Sequence, residues 1–204
     1  MNRLITPALA ALLMVGAAAH AETRNLRGFD SVGASDQLRV EIVVGGDYAV
    51  EVTGADADQV RTEVEGGTLK IRQRNRPWFG SRRLDATVRV SMPELDGLAG
   101  ARGAEIRASG VDAGSFDIAA AMGAVVRVDG ACRALDASAS MGGDIRAEGL
   151  QCETADVSAS MGGTAHVFVS QSYEGAASMG GTINVSGGGA SQGRATAMGG
   201  SIND

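Results

Sequence analysis

Apolar and polar residues alternate one by one through the second half of the chain. Leu135, Ala137, Ala139, Met141, Ile145 and Ala147 share one parity, while Asp136, Ser138, Ser140, Asp144 and Arg146 share the other. The next stretch divides in the same way, with Val157, Ala159, Met161, Ala165 and Val167 against Asp156, Ser158, Ser160, Thr164 and His166. Upstream, Phe116, Ile118, Ala120, Met122, Val126 and Val128 continue the apolar set. Successive side chains of an extended backbone point to opposite faces, so a period of two predicts strand. Helical spacing at three and four residues is nowhere sustained.

These strands repeat. Met-Gly-Gly or Met-Gly-Ala recurs at Met122, Met141, Met161, Met179 and Met198, at intervals of 19, 20, 18 and 19 residues. Arg102-Gly103-Ala104 opens the series in weaker form. A unit of this length cannot bury its apolar side alone, but stacked units can, with backbone ladders between neighbouring coils. Residues at one offset then form a column spaced about 4.8 Å apart. The fold expected is all-β: a right-handed parallel β-helix, or β-solenoid, with repeats of 18–20 residues. A propeller blade needs about 40 residues and is excluded. Parity places the methionines in an internal column beside glycine corners.

Residues 22–97 are less regular but still strand-like. Leu38-Arg39-Val40-Glu41-Ile42, Val50-Glu51-Val52 and Thr87-Val88-Arg89-Val90-Ser91-Met92 alternate, with turns at Gly45-Gly46-Asp47 and Glu65-Gly66-Gly67. We read 22–97 as the capping portion of the solenoid and 98–204 as its regular part; a separate small β-domain is the alternative for the former. Residues 1–21 form a secretory leader. Arg3 precedes an apolar run from Ala8 to Ala19, and Ala19-His20-Ala21 places cleavage between Ala21 and Glu22. A retained amphipathic anchor is the competing reading. No later segment is long and apolar enough to span a bilayer. The expected location is the periplasm or the cell exterior.

Composition narrows the core and the partners. Aromatics make up 3% of the chain and glycine supplies 30 residues, so small apolar side chains must fill a narrow interior. A net charge of -6 argues against nucleic acid and against a broad anionic membrane footprint.

A family resemblance covers nearly all of the chain after the leader and rests on pattern rather than on a catalytic signature. Phe29-Asp30-Ser31-Val32, Leu38-Arg39-Val40-Glu41-Ile42, Tyr48-Ala49-Val50-Glu51-Val52, Gly67-Thr68-Leu69-Lys70-Ile71 and Val88-Arg89-Val90-Ser91-Met92-Pro93-Glu94-Leu95 carry it. Together they resemble the putative auto-transporter adhesin head domain, also called the GIN domain. The resemblance implies a right-handed β-helix in an exported envelope protein, and it supplies no catalytic residues.

Cys132 and Cys152 each precede their methionine by nine residues and so share a column in adjacent coils. That separation suits a disulfide in an oxidising compartment; two buried thiols acting as small core residues are the alternative. Two charged columns face outward. Arg107, Arg127 and Arg146, followed by His166, form one, and Asp117, Asp136, Asp156 and Glu174 form the other. The acidic column could collect Ca²⁺, but a solvated face explains it equally, and the Gly-Gly-x-Gly-x-Asp pattern of calcium β-rolls is absent.

The segment from Arg72 to Arg83 differs from its surroundings, since Arg74, Arg76, Arg82 and Arg83 flank Trp78 and Phe79. Such a loop can grip an anionic glycan, a lipid phosphate or a protein; as a plain hairpin tip its rings would cover one end of the core. His166 is the only histidine after the leader, and Ser158, Ser160 and Ser178 read as ladder residues. No catalytic, cofactor or metal site is expected. The reading is a non-enzymatic envelope module that binds glycan, lipid or protein. A self-associating structural protein, pairing through its solenoid ends as a homo-oligomer, and a carbohydrate-active β-helix enzyme are its rivals.

Overall fold

The computed structural model describes residues 21–75 and 83–204. In chain order the strands are β1 (Ala21–Arg24), β2 (Ser31–Ala34), β3 (Arg39–Val44), β4 (Ala49–Thr53), β5 (Val60–Glu65), β6 (Thr68–Gln73), β7 (Thr87–Met92) and β8 (Gly97–Gly100). There follow β9 (Glu105–Ala121), β10 (Val125–Ser140), β11 (Asp144–Ser160), β12 (Thr164–Ser178), β13 (Thr182–Ser186), β14 (Ala190–Ala197) and β15 (Ser201–Asn203). They join into one hydrogen-bonded sheet that winds as a β-solenoid of about five turns, with no α-helix among the described residues.

The long strands β9 to β12 pair in parallel, each with the next. The register keeps equal offsets together: Ile106, Val126, Ile145 and Ala165 align, as do Ile118, Ala137 and Val157. All of these are buried, which is the stacking that a single repeat cannot achieve alone. Unequal repeat lengths are absorbed locally. The 18-residue step between Met161 and Met179 is taken up where the β11–β12 register shifts, between Ala147 and Gln151 and between Cys152 and Thr154.

One expectation fails at the corners. Met122, Met141, Met161 and Met179 are 43–48% exposed and Met198 is 80% exposed, so they form an external ridge rather than an internal column. The turn geometry gives the reason. The Gly143 N–H donates to the Ser140 carbonyl at 2.9 Å, across Met141 at φ 48° and Gly142 at φ 74°. Two consecutive left-handed residues make a type I′-like turn and interrupt the pleat, which swings the methionine outward. Burial resumes with Gly143 and Ile145. The third turn residue must be small, because a Cβ on Gly143 would lie 2.2 Å from the Ala120 carbonyl oxygen. Ala124 takes that place one coil earlier, where Gly100 makes room: a Cβ on Gly100 would lie 3.1 Å from that of Ala124.

At the N-terminal end the winding is less regular. β3 joins β9 and β7 in parallel, and β2 joins β6 and β8 likewise. Antiparallel strands are added outside them: β4 on β7, β1 on β4, and β5 on β6. Phe29 packs at 5.0 Å between ring centroids from Tyr48, whose hydroxyl donates to the Phe29 carbonyl at 3.1 Å. A single apolar cluster runs from Phe29 to Val185. In the last coil, buried Tyr173 donates to the Asp204 carboxylate at 2.8 Å, and Arg194 meets the same carboxylate at 3.1 Å. This polar clasp spans β12, β14 and the residue after β15.

Candidate functional site

Parallel in-register stacking turns each outward offset into a straight column, and two of these columns carry the charge. On one side Arg107, Arg127, Arg146 and His166 align, continued by Asn184 and Asn203. The same column runs back through Glu41, Arg89 and Glu51 on β3, β7 and β4. Charges alternate in that N-terminal part, where Arg89 donates to Glu41 at 3.2 Å. Farther along, three arginines succeed one another. Arg146 is offset by Asp144, which accepts from its guanidinium at 2.8 Å, and His166 Nδ1 lies 3.6 Å from Glu148. Asn203 and Asn184 continue the line, the Asn203 Nδ2 donating a hydrogen bond to Asn184 Oδ1 at 2.9 Å.

Arg83 ties the arginine-rich segment to this face. Its guanidinium donates to Glu105 at 2.7 Å, and Arg39 approaches the same carboxylate at 3.5 Å. The Arg83 bond holds the Glu105 carboxyl below its ordinary range. Glu105 lies two residues from Arg107 on the same outward parity, so the segment's exit sits beside the arginine column. Arg74 is exposed, and its backbone N–H bonds the Gln59 carbonyl. Arg76, Trp78, Phe79 and Arg82 lie outside the described residues.

On the other side Asp117, Asp136, Asp156 and Glu174 align, with Gly97 and Ser31 before them and Gly193 after. Ser138 and Ser158 stand in the next outward column with Ala119 and Ala176. Partial burial, and then the neighbouring Asp156 and Asp117, push the Asp136 carboxyl above its ordinary range. The carboxylates run in line rather than converging. Among the described residues no group of three or more His, Cys, Asp or Glu is arranged to hold a metal ion.

Between the two faces, Cys132 and Cys152 pair across β10 and β11 and are joined by a disulfide, with Cα atoms 4.5 Å apart. Ala113 and Val169 occupy the adjoining coils of that column, so the bridge replaces ordinary core packing. The sequence missed the extension of the basic column through Glu41, Arg89 and Glu51. Those strands lack the methionine offset that aligns the later coils, and two of their pairings are antiparallel.

Residues 28–189 match the protein family described as putative auto-transporter adhesin, head GIN domain. Among solved structures, a putative adhesin from Bacteroides fragilis superposes with a TM-score of 0.67 at 14% identity, covering 92% of this chain and 97% of that one. A putative lipid binding protein from Parabacteroides distasonis gives a TM-score of 0.47 at 17% identity, covering 91% of this chain and 96% of that one. A putative adhesin from Parabacteroides merdae gives 0.47 at 11% identity, with 91% and 96% covered. No curated protein matches the chain. No helix among the described residues is long and apolar enough to cross a membrane.

Proposed function

The chain belongs to the putative auto-transporter adhesin head GIN domain family, and on that premise we propose an exported, non-enzymatic binding module for anionic envelope glycan. The supporting observation is the coincidence of the arginine column with the exit of the arginine-rich segment, fixed by the Arg83–Glu105 pair. Like charges one coil apart repel by about 1 kcal/mol in water. An anionic polymer laid along the column relieves that repulsion and gains charge-assisted hydrogen bonds. A rigid ladder presents these cations at a fixed repeat, with little ordering left to be done on binding. Trp78 and Phe79 bring to the same arginine-rich segment of the sequence two rings suited to stacking on sugar faces. The acidic face repels the same polymer, so binding is one-sided.

Calorimetric titration with a polyanionic glycan tests the reading. Replacing Arg107 and Arg127 with alanine is expected to weaken binding about tenfold, equivalent to about 1.4 kcal/mol. Trp78→Ala with Arg82→Ala is expected to weaken it further, and wild-type affinity should fall steeply with salt. Vesicles containing anionic phospholipid form the parallel arm. Equal affinity of wild type and both double variants for the glycan would defeat the proposal. Export would be read from the mature N-terminus, expected at Glu22 by mass spectrometry of the secreted or periplasmic product.

A further inference from the structure

Methionine is distributed unusually in this chain. It occurs eight times; two copies lie in the leader, Met92 is buried in the core, and the other five stand at successive turns. All five have left-handed backbone, φ 47–52°, a conformation that Gly, Asn or Asp adopts more easily. Each is a large apolar side chain placed outside. A structural turn needs none of these choices.

The turns themselves stack. The Gly123 N–H donates to the Met141 carbonyl at 3.2 Å, Gly142 to Met161 at 3.2 Å, Gly162 to Met179 at 3.1 Å and Gly180 to Met198 at 3.2 Å. The methionine Cα atoms are therefore one coil apart, about 4.8 Å. Exposure supports side chains lying over one another: four are 43–48% exposed, and Met198, with no described coil beyond it, is 80% exposed. Two sulfur ligands at about 2.3 Å from one ion span nearly the same distance as adjacent coils. Three rotatable bonds per side chain allow the remaining adjustment.

We propose that four of the five turn methionines, Met141, Met161, Met179 and Met198, form a thioether ladder that binds soft monovalent cations, Cu(I) or Ag(I), between sulfurs of adjacent coils. Thioether is a soft, neutral ligand that prefers such ions to Ca²⁺, Mg²⁺ or Zn²⁺. An apolar docking strip would be served equally by leucine, yet every position carries sulfur. The ladder has a polarity. Arg102 occupies the corresponding turn one coil before Met122, with φ 51°, and the Gly103 N–H donates to the Met122 carbonyl at 3.0 Å. That cation, paired with Asp36 only at 3.6 Å, and the lack of a sulfur in its turn disfavour loading at the Met122 end, so ions collect between Met141 and Met198.

Titration of the full mature chain with Ag(I), followed by NMR of methyl-labelled methionine, reads the sulfurs directly. The expected result is saturation at about two ions per chain, because each uses two sulfurs. The methyl signals of Met141, Met161, Met179 and Met198 should shift, and that of buried Met92 should not. Competition with a chromophoric chelator under reducing conditions forms the Cu(I) arm, and Zn²⁺ should leave every signal in place. The variant Met141→Leu, Met161→Leu, Met179→Leu keeps an apolar ridge and should lose at least tenfold in Ag(I) affinity, whereas Met122→Leu should change it less than twofold. Undisturbed methionine methyls at two equivalents of Ag(I), or wild-type affinity in the triple variant, would overturn the proposal. Circular dichroism of the variants checks that the sheet persists.

Discussion

A methyl group added at Gly163 would lie 2.4 Å from the Ala139 carbonyl oxygen, a backbone atom held within the ladder. At the adjacent Gly162 the same methyl would meet nothing within 4 Å, and only its φ of 73° opposes it. Gly163→Ala should therefore cost about 3 kcal/mol or more, as overpacking against a rigid partner does, and Gly162→Ala about 1 kcal/mol. Urea unfolding of the two variants checks the order, and equal midpoints would contradict this account of the corner. Asp136 gives a pH signature. Its raised carboxyl pKa means that the folded chain holds the proton more tightly than the unfolded chain does. Its contribution to stability therefore falls as pH rises through the carboxylate range and returns on acidification. Asp136→Asn is expected to be more stable than wild type at neutral pH, with the difference closing under acid. A gap that stays constant across that range would show that like-charge crowding is not the cause. Parity along the strands was readable at Ala139 and Ile145, but Met141 between them was misplaced. Alternation assumes an unbroken pleat, and two left-handed residues break it without any change in composition.

Between β10 and β11 the cysteine pair shows what offset counting can deliver. Equal distance from the methionine placed Cys132 and Cys152 in one column, and the register aligns them. The choice between a bridge and two thiols needed coordinates, because a column fixes Cα spacing but not the direction of each Cβ. The bridge closes 20 residues of sequence. Loop-closure entropy alone assigns about 3 kcal/mol to a ring of that size. The double variant Cys132→Ala, Cys152→Ala should lose roughly that much while keeping its circular dichroism, since Ala113 already fills the same column in β9. Unfolding of wild type with and without reductant should show the same interval, and a reductant-independent midpoint would exclude a stabilising bridge. Strands β1 to β8 were much less legible. Their alternation announced strands, but nothing local reveals that β4 adds antiparallel to β7 or that β3 lies between β7 and β9. Those pairings join residues far apart in sequence, and they are decided by which coil needs an edge covered.

For the molecule as a whole, a solenoid's stability is nearly a sum of contacts between neighbouring coils, so it need not be uniform along the axis. β10 and β11 have a long strand on each side and alternate buried with exposed residues on either side of a mid-strand bend. β14 pairs only with β12 among the described strands, and all eight of its residues are exposed. Besides the backbone ladder to β12, the clasp of Arg194, Asp204 and Tyr173 ties that coil in place through side chains. Tyr173 is the first cause of a lowered Asp204 carboxyl pKa, so the clasp persists at neutral pH and weakens as acid protonates Asp204. Hydrogen exchange should follow this gradient, with amides of β10 and β11 protected to the level of global unfolding and those of β14 exchanging by local opening. Asp204→Asn should speed exchange in β14 and β15 while leaving β10 unchanged. Uniform acceleration along the whole axis would instead mean that the coils unfold as one unit, and a binding face built on independent coil-by-coil stacking would then have to be reconsidered.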